Sequence, residues 1–425
     1  MKLRNAIIIG IIYAPSMCQA AIQPNYEHDK HYAAQIFINK DSSTTIKPRE
    51  INLNQEKILQ AEILIAPKNA KGVSYNKYDE FHVTKVGVIL NNNGVAADFI
   101  INEVINGTTS LLDGNIGITG KAAHVVIANP NGIECNNCSF SNTLSETLAT
   151  GKPIIHDDEL VGYRIERSIS ALDYRAFGGK SIKHIGKIVF RNESNSHPNN
   201  SFNNINIISN NINLEKGFIF SKGDINIYSG ERRVMLKEGV HILENGMRTR
   251  ELRHYLPNQI ILGDKNDDSK KQGLISDKNI IINASDTTID NYGSLKSVNN
   301  SRKAIQLNLN KTTFNNHGYI LAKGGYLNLQ NHSVFSNMDK GAIGKQYWLS
   351  LNNADSKYSS IYIGTVPENT VFPMNNLTLN ISEDSQLVND GTIKAYRLYT
   401  HNKKMNNIQN NRQDIKLYTK LLKIK

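Results

Sequence analysis

A short motif returns along the C-terminal half of this chain and limits what the chain can fold into. Asp290-Asn291-Tyr292-Gly293-Ser294-Leu295, Asn315-Asn316-His317-Gly318-Tyr319-Ile320, Asn337-Met338-Asp339-Lys340-Gly341-Ala342-Ile343 and Val388-Asn389-Asp390-Gly391-Thr392-Ile393 share one form. Each has an Asn, then a Gly, then an apolar residue two positions beyond the Gly. The spacing is roughly 25 residues, with the last interval about double, which reads as two periods. Such a period, built on short strands, belongs to a solenoid whose turns stack on one another. Leucine-rich repeats share the period, but their fixed Leu spacing and helical segments are missing from the sequence. A right-handed parallel β-helix fits instead: an all-β solenoid with a few strands and loops outside the coil. The Asn-Gly element is expected to supply a positive-φ turn. Asn side chains stacked between rungs would account for the abundance of Asn. At about 4.8 Å per rung, roughly 15 rungs would make a rod about 70 Å long.

Strands are legible upstream too. Val86-Gly87-Val88-Ile89-Leu90, Phe99-Ile100-Ile101 and His124-Val125-Val126-Ile127-Ala128 are apolar runs punctuated by Asn or Gly. Ile205-Asn206-Ile207 and Asp224-Ile225-Asn226-Ile227-Tyr228 alternate strictly, so one face is buried and the other wet. Residues 231–260 break the pattern with Glu231-Arg232-Arg233, Lys237-Glu238 and Arg248-Thr249-Arg250-Glu251, and read as an excursion from the rod. In the basic tail, 401–425, Ile415, Tyr418, Leu421 and Leu422 fit one helical face, and a solvated frayed end fits equally.

The N-terminus assigns a compartment. Lys2 and Arg4 precede a short apolar core, Ala6 to Ala14, which Pro15 ends. Cys18-Gln19-Ala20 then offers small residues to a signal peptidase, with cleavage after Ala20 or Ala21. The apolar run is too short to span a bilayer. The expected divisions are a signal peptide at 1–21, an N-terminal strand-rich domain at 22–230, a repeat region at 231–400 and the tail. A net charge of +11 reads as a Lys-rich solvated face. No zinc-finger spacing, basic heptad helix or Arg-Gly-aromatic pattern points to nucleic acid.

Three stretches together carry a family pattern. They are Gly72-Val73-Ser74-Tyr75-Asn76-Lys77-Tyr78-Asp79-Glu80-Phe81-His82-Val83 with Gly87-Val88-Ile89-Leu90-Asn91-Asn92, then Ile101-Asn102-Glu103-Val104, then Ala128-Asn129-Pro130-Asn131-Gly132-Ile133 running on to Phe140-Ser141-Asn142-Thr143. In this order, behind a signal peptide, they resemble the two-partner secretion domain of filamentous haemagglutinin, haemolysin and contact-dependent-inhibition exoproteins. The likeness covers roughly residues 50–230. It implies export through the periplasm of a Gram-negative bacterium. A dedicated outer-membrane β-barrel transporter, whose periplasmic domains recognise the N-terminal part, would be the partner. A host-cell surface or another bacterium would be the target, and an adhesin- or haemolysin-like role without catalysis would follow.

Particular residues carry competing readings. Asn129, Pro130, Asn131, Gly132 and Ile133 suit a turn between strands, because Pro presets φ while Asn and Gly tolerate left-handed geometry. The same residues, with Asn102 and Glu103, are the family's candidates for transporter contact. Cys135-Asn136-Asn137-Cys138 has half-site zinc spacing, but a zinc site needs four ligands and the sequence holds no second Cys pair. In an oxidising compartment a local disulfide is the expected state. Haemolysin members resemble this chain in carrying Cys-x-x-Cys after Asn-Pro-Asn-Gly-Ile. His28-x-x-His31 is a weak metal candidate, and no metal, cofactor or catalytic residue is assigned. The alternative is a secreted β-helical polysaccharide-degrading enzyme, since parallel β-helices also host lyases. The acid clusters such enzymes use are not evident, and Asp157-Asp158-Glu159 reads as a solvated loop.

Overall fold

The computed structural model describes residues 35–425 apart from 54, 106–107, 166–185, 193–199, 237–256, 267–271, 340, 347–370, 401–407, 411–414, 418–421 and 424–425. The signal peptide and His28-x-x-His31 lie outside the described residues. Those residues are all-β, and they coil into a parallel β-helix with three short strands per rung. One rung runs through Ser294–Ser297, Ile305–Asn310 and Thr313–Asn316. The next runs through Tyr319–Leu321, Gly324–Gln330 and Val334–Asn337. Every strand pairs in parallel with its counterpart: Ser294 beside Tyr319, Leu307 beside Leu327, Phe314 beside Phe335.

Inward positions form one continuous apolar column from Ile36 to Leu398. The core crosses residue 230 without a break, because Ile205, Ile225, Ile280 and Ile305 stack in register. At one corner the inward residue is Asn. Asn291 Nδ2 donates to Asn316 Oδ1 at 2.8 Å, Asn316 Nδ2 to Asn337 Oδ1 at 2.8 Å, and Asn337 Nδ2 to Asn389 Oδ1 at 2.7 Å. All four are fully buried. An amide carries both donor and acceptor, so each one satisfies its neighbours along the rod.

The repeat differs from the sequence reading in two respects. The long interval between Gly341 and Gly391 is one rung and not two periods. Asn337 bonds Asn389 directly across 52 residues, and Ala342 pairs with Thr392. The extra chain is an insertion. Ile133 beside Ile188 and Asn211 beside Gln259 mark two more. Insertions use up residues, so the longest parallel stack on one face of the coil, from Val73–His82 to Leu422–Lys423, has twelve strands among the described residues and the rod is shorter than expected. Nor do the repeat glycines supply positive-φ turns: Gly293, Gly318, Gly341 and Gly391 are not among the left-handed residues. They are Gly because rungs meet backbone to backbone at that corner. A Cβ on Gly318 would collide with the Gly293 carbonyl, and one on Gly391 with the Gly341 carbonyl.

Two insertions meet outside the coil. Lys152–His156 and Glu159–Arg164 form an antiparallel hairpin from the first, and Arg233–Met235 from the second adds a third strand. This small sheet covers the outer face of the main one. Tyr163, Ile165 and Val234 pack on Val73, Ile101, Val126, Ala128, Ala149 and Ile208. That is why Phe99-Ile100-Ile101 and Val125-Val126-Ile127-Ala128 do not alternate: both faces there are buried. The excursion is shorter than 231–260, because Asn258–Leu262 is already a rung strand. In the tail, Ile415–Leu417 and Leu422–Lys423 pair in parallel with Thr392–Thr400, so a helical face is not what forms there. At the N-terminal end Gln35–Ile38 runs antiparallel to Val73–His82, and a hairpin of Thr45–Leu53 and Glu56–Leu64 precedes the first stacked rungs.

The buried ladder gives a test. Asn316→Ala strands a donor on Asn291 and an acceptor on Asn337, so unfolding free energy should fall by about 1–3 kcal/mol. Asn315→Ala, on the solvent side of the same strand, should cost under about 1 kcal/mol. Urea melts followed by far-UV circular dichroism compare the two, and equal losses would refute the ladder's role.

Candidate functional site

The most specific sequence motif forms the corner between the strands Ala123–Ala128 and Ile133–Asn136. Asn129 is fully buried and organises it. Its Nδ2 donates to the Thr108 carbonyl and the Ser110 hydroxyl, both at 2.9 Å, on the preceding rung. Its Oδ1 accepts from Asn131 N at 2.9 Å and Asn131 Nδ2 at 3.2 Å. The Gly132 amide donates back to the Asn129 carbonyl at 3.0 Å, closing the turn. Gly132 has φ +120°, where a side chain is strained, and a Cβ would stand 3.0 Å from the Lys187 carbonyl. The following rung reads the corner as well, since Gly186 N donates to the Pro130 carbonyl and Ile133 N to the Lys187 carbonyl.

Asn102 and Glu103 belong to the same stack. Asn102 is fully buried, accepts from the Tyr78 hydroxyl at 3.0 Å and donates to the Val126 carbonyl at 3.2 Å. Asn76, its register partner one rung earlier, donates to the Ile101 carbonyl and accepts from Thr44 and Ala66 N. Glu103 accepts from the Tyr75 hydroxyl. Burial first, then the Glu103 charge and that bond, push the Tyr75 hydroxyl well above its ordinary range. The Tyr75 phenol therefore keeps its proton and donates it to this bond.

Cys135 and Cys138 are disulfide-bonded, with Cα atoms 5.1 Å apart, and both sulfurs sit in the core column. Cys135 stacks between Leu112 and Phe190, and Asn137 takes positive φ to turn the loop. Outside this corner, Arg191 spans rungs, with Nη1 2.5 Å from Glu134 Oε2 and Nε 2.5 Å from Glu215 Oε2. All three side chains are about a third exposed, so the pairing positions more than it stabilises.

Sequence reasoning missed Glu146. It is fully buried, accepts from the Thr143 hydroxyl and takes the amides of Asn203 and Asn204 at 3.0 and 3.2 Å. It fastens the rung that follows the first insertion. Burial raises its pKa, while those hydrogen bonds oppose the rise. The only signal was an acid inside an apolar strand. Among the described residues, no group of three or more His, Cys, Asp or Glu is arranged to hold a metal ion.

This is a parallel β-helix whose most specific motif is built into a rung corner and bonded on both sides. Comparison with known proteins narrows the class. A model of the TPS secretion domain matches residues 36–337. The tRNA nuclease CdiA of Yersinia mollaretii is 45% identical over 111 residues, covering 21% of this chain and 4% of that protein. The hemolysin of Serratia marcescens is 39% identical over 119 residues, covering 24% and 7%, and that of Proteus mirabilis 37% over 120 residues, covering 24% and 8%. The chain thus matches under a tenth of the length of these relatives. The crystal structure of a filamentous hemagglutinin secretion domain aligns over 86% of this chain and 98% of that one, at 16% identity and a TM-score of 0.35. The chain belongs to the TPS secretion domain family. It is a two-partner secretion exoprotein, secreted or surface-exposed, of the Gram-negative type.

Two outcomes follow from the corner. Gly132→Val should destabilise the protein by roughly 1–2 kcal/mol or more, through strain at positive φ. Asn131→Ala should cost less, since the chain path survives. Thermal melts rank them, and the reverse order would contradict the geometry. Double Cys→Ser at 135 and 138 should keep the fold and lower the midpoint slightly, below the ~3 kcal/mol of a 15-residue loop. Alkylation of the unreduced protein followed by mass spectrometry should find no free thiol at either position.

Proposed function

We propose that the N-terminal rungs are the export signal, recognised in the periplasm by a dedicated outer-membrane β-barrel transporter, and that the rest of the coil follows them out. The observation that carries this reading is the family match over residues 36–337, which begins with the first described strand and covers all three motifs. The motif residues divide by exposure. Asn102, Asn129, Gly132 and Ile133 are buried, and Glu103 nearly so, which favours action through the fold. Pro130 and Asn131 are half-exposed and are the motif members able to touch a transporter. The coil crosses residue 230 without a break, and the family match runs on past it to residue 337. The coil has only neighbouring-rung contacts, so it can fold turn by turn as it emerges.

The same reading gives the exported chain a contact role at a host or bacterial surface, without catalysis of its own. The nuclease names belong to proteins of which this chain matches 3–4%. Nothing in the comparisons favours a polysaccharide-degrading enzyme.

Export should depend on the transporter. Co-expression with and without the cognate barrel, followed by immunoblotting of the culture medium, should show the chain outside only when the barrel is present. Equal extracellular amounts would sink the proposal. Within that assay, an Asn131→Ala variant that melts normally but stays inside would assign Asn131 to recognition.

A further inference from the structure

Three outward columns in the C-terminal half hold only uncharged side chains, with Glu231, Lys303 and Arg397 at their edges. In register along the coil, one outward column reads Ile281, Gln306, Tyr326, Thr378, Tyr399. The next reads Asn283, Asn308, Asn328, Asn380. Beside them stand Ser285, Asn310 and Gln330. Charged residues make up 20% of the chain, and its net charge is +11, so a run this long without one is a property of this face. These side chains are half-exposed, in contrast to the N-terminal part of the same sheet, which the three-stranded sheet covers.

The amide column is a ladder with one gap. Asn308 Nδ2 donates to Asn283 Oδ1 at 2.9 Å, and Asn380 Nδ2 donates to Asn328 Oδ1 at 2.7 Å. Asn328 Oδ1 also accepts from Gln330 Nε2 at 3.2 Å. Asn308 and Asn328 are register partners on adjacent rungs, yet they do not bond each other. Among the described residues, Asn308 Oδ1 and Asn328 Nδ2 have no protein partner. An open acceptor and an open donor thus belong to neighbouring rungs, which stack about 4.8 Å apart. Tyr326 flanks them two residues before Asn328, with the Lys303 ammonium 4.2 Å from its ring centroid at the rim.

We propose that this face binds a neutral polysaccharide, seated on Gln306, Asn308, Tyr326 and Asn328. A pair of neighbouring sugar hydroxyls can donate to Asn308 Oδ1 and accept from Asn328 Nδ2 at once, which closes the gap in the ladder. The phenol of Tyr326 and the Gln306 amide supply further hydrogen bonds and an edge for the ring to lie against. The absence of charge from the columns themselves suits an uncharged ligand, and the salt dependence of binding separates it from a polyanion drawn to Lys303 or Arg397 at the rim. The flat, repeating geometry suits a chain of repeating units. The proposal does not depend on the export route.

Surface plasmon resonance of the exported full chain over immobilised dextran, galactomannan and xyloglucan, with heparin as the anionic control, tests it. Binding to at least one neutral polymer, unchanged by raised salt, is expected. Tyr326→Ala and Asn328→Ala should each weaken it about fivefold to tenfold while circular dichroism stays unchanged. If either variant fails to fold, Gln306→Glu serves instead. It keeps the volume, places a charge on a half-exposed position, and should weaken binding without moving the melt. No binding to any neutral polymer would overturn the proposal. So would binding that these variants leave intact, or salt-sensitive binding to heparin alone. A dimer in sedimentation that the same substitutions dissolve would also overturn it, by showing that a second copy covers the face.

Discussion

Parallel, in-register stacking of one rung on the next is the constraint on which the rest of the structure depends. A rung alone leaves every strand's amides and carbonyls unpaired and its apolar face open, so it is stable only between neighbours. The register must hold at every level, because a one-residue slip would turn the inward Ile and Leu outward. Two devices hold it. The apolar column gives most of the stabilisation, and the buried Asn ladder from Asn291 to Asn389 fixes alignment, since amides bond only when they lie above one another. Between corners the chain is free to wander. Three rungs carry long insertions without disturbing the stack, and two of those insertions join to cover an apolar outer face.

The same constraint explains the placement of the family's motifs. Asn76, Asn102 and Asn129 each reach across to another rung or strand, and Glu146 fastens the rung after the first insertion. These are the first complete turns of the coil, where one side has little folded structure to lean on. Polar groups that must be satisfied by the next rung make the early turns definite in register. On the proposed export route, a domain that leads the chain outward needs that definition, because later rungs build on it.

Much of this was legible in the sequence, for physical reasons that can be named. The Asn-Gly period showed a solenoid because each rung repeats the same inward chemistry, and the abundance of Asn showed the ladder. Alternation at Ile205-Asn206-Ile207 showed a one-sided strand. Other features were hidden. Nothing in the interval from Gly341 to Gly391 distinguishes two short rungs from one rung with an insertion, since only the pairing of Asn337 with Asn389 decides it. The repeat glycines looked like turn residues, yet their reason is the carbonyl of the rung below, a contact between residues far apart in sequence. The pairing of Glu159–Arg164 with Arg233–Met235 was out of reach for the same reason. In the motif, the sequence singled out the corner residues but could not divide them into buried Asn102 and Asn129 and half-exposed Pro130 and Asn131.

Excision of one whole rung tests the stacking account most directly. Residues 294–318 hold three successive strands, and their removal joins Gly293 to Tyr319, the register partner of Ser294. The Asn ladder would then run from Asn291 to Asn337. A variant lacking 294–318 should fold with the parent's far-UV spectrum and a rod shorter by about 4.8 Å in small-angle scattering. A variant lacking only 294–305 breaks the register and should lose cooperative unfolding. If the two deletions were equally disruptive, the account of a coil held by neighbour-to-neighbour stacking would be wrong.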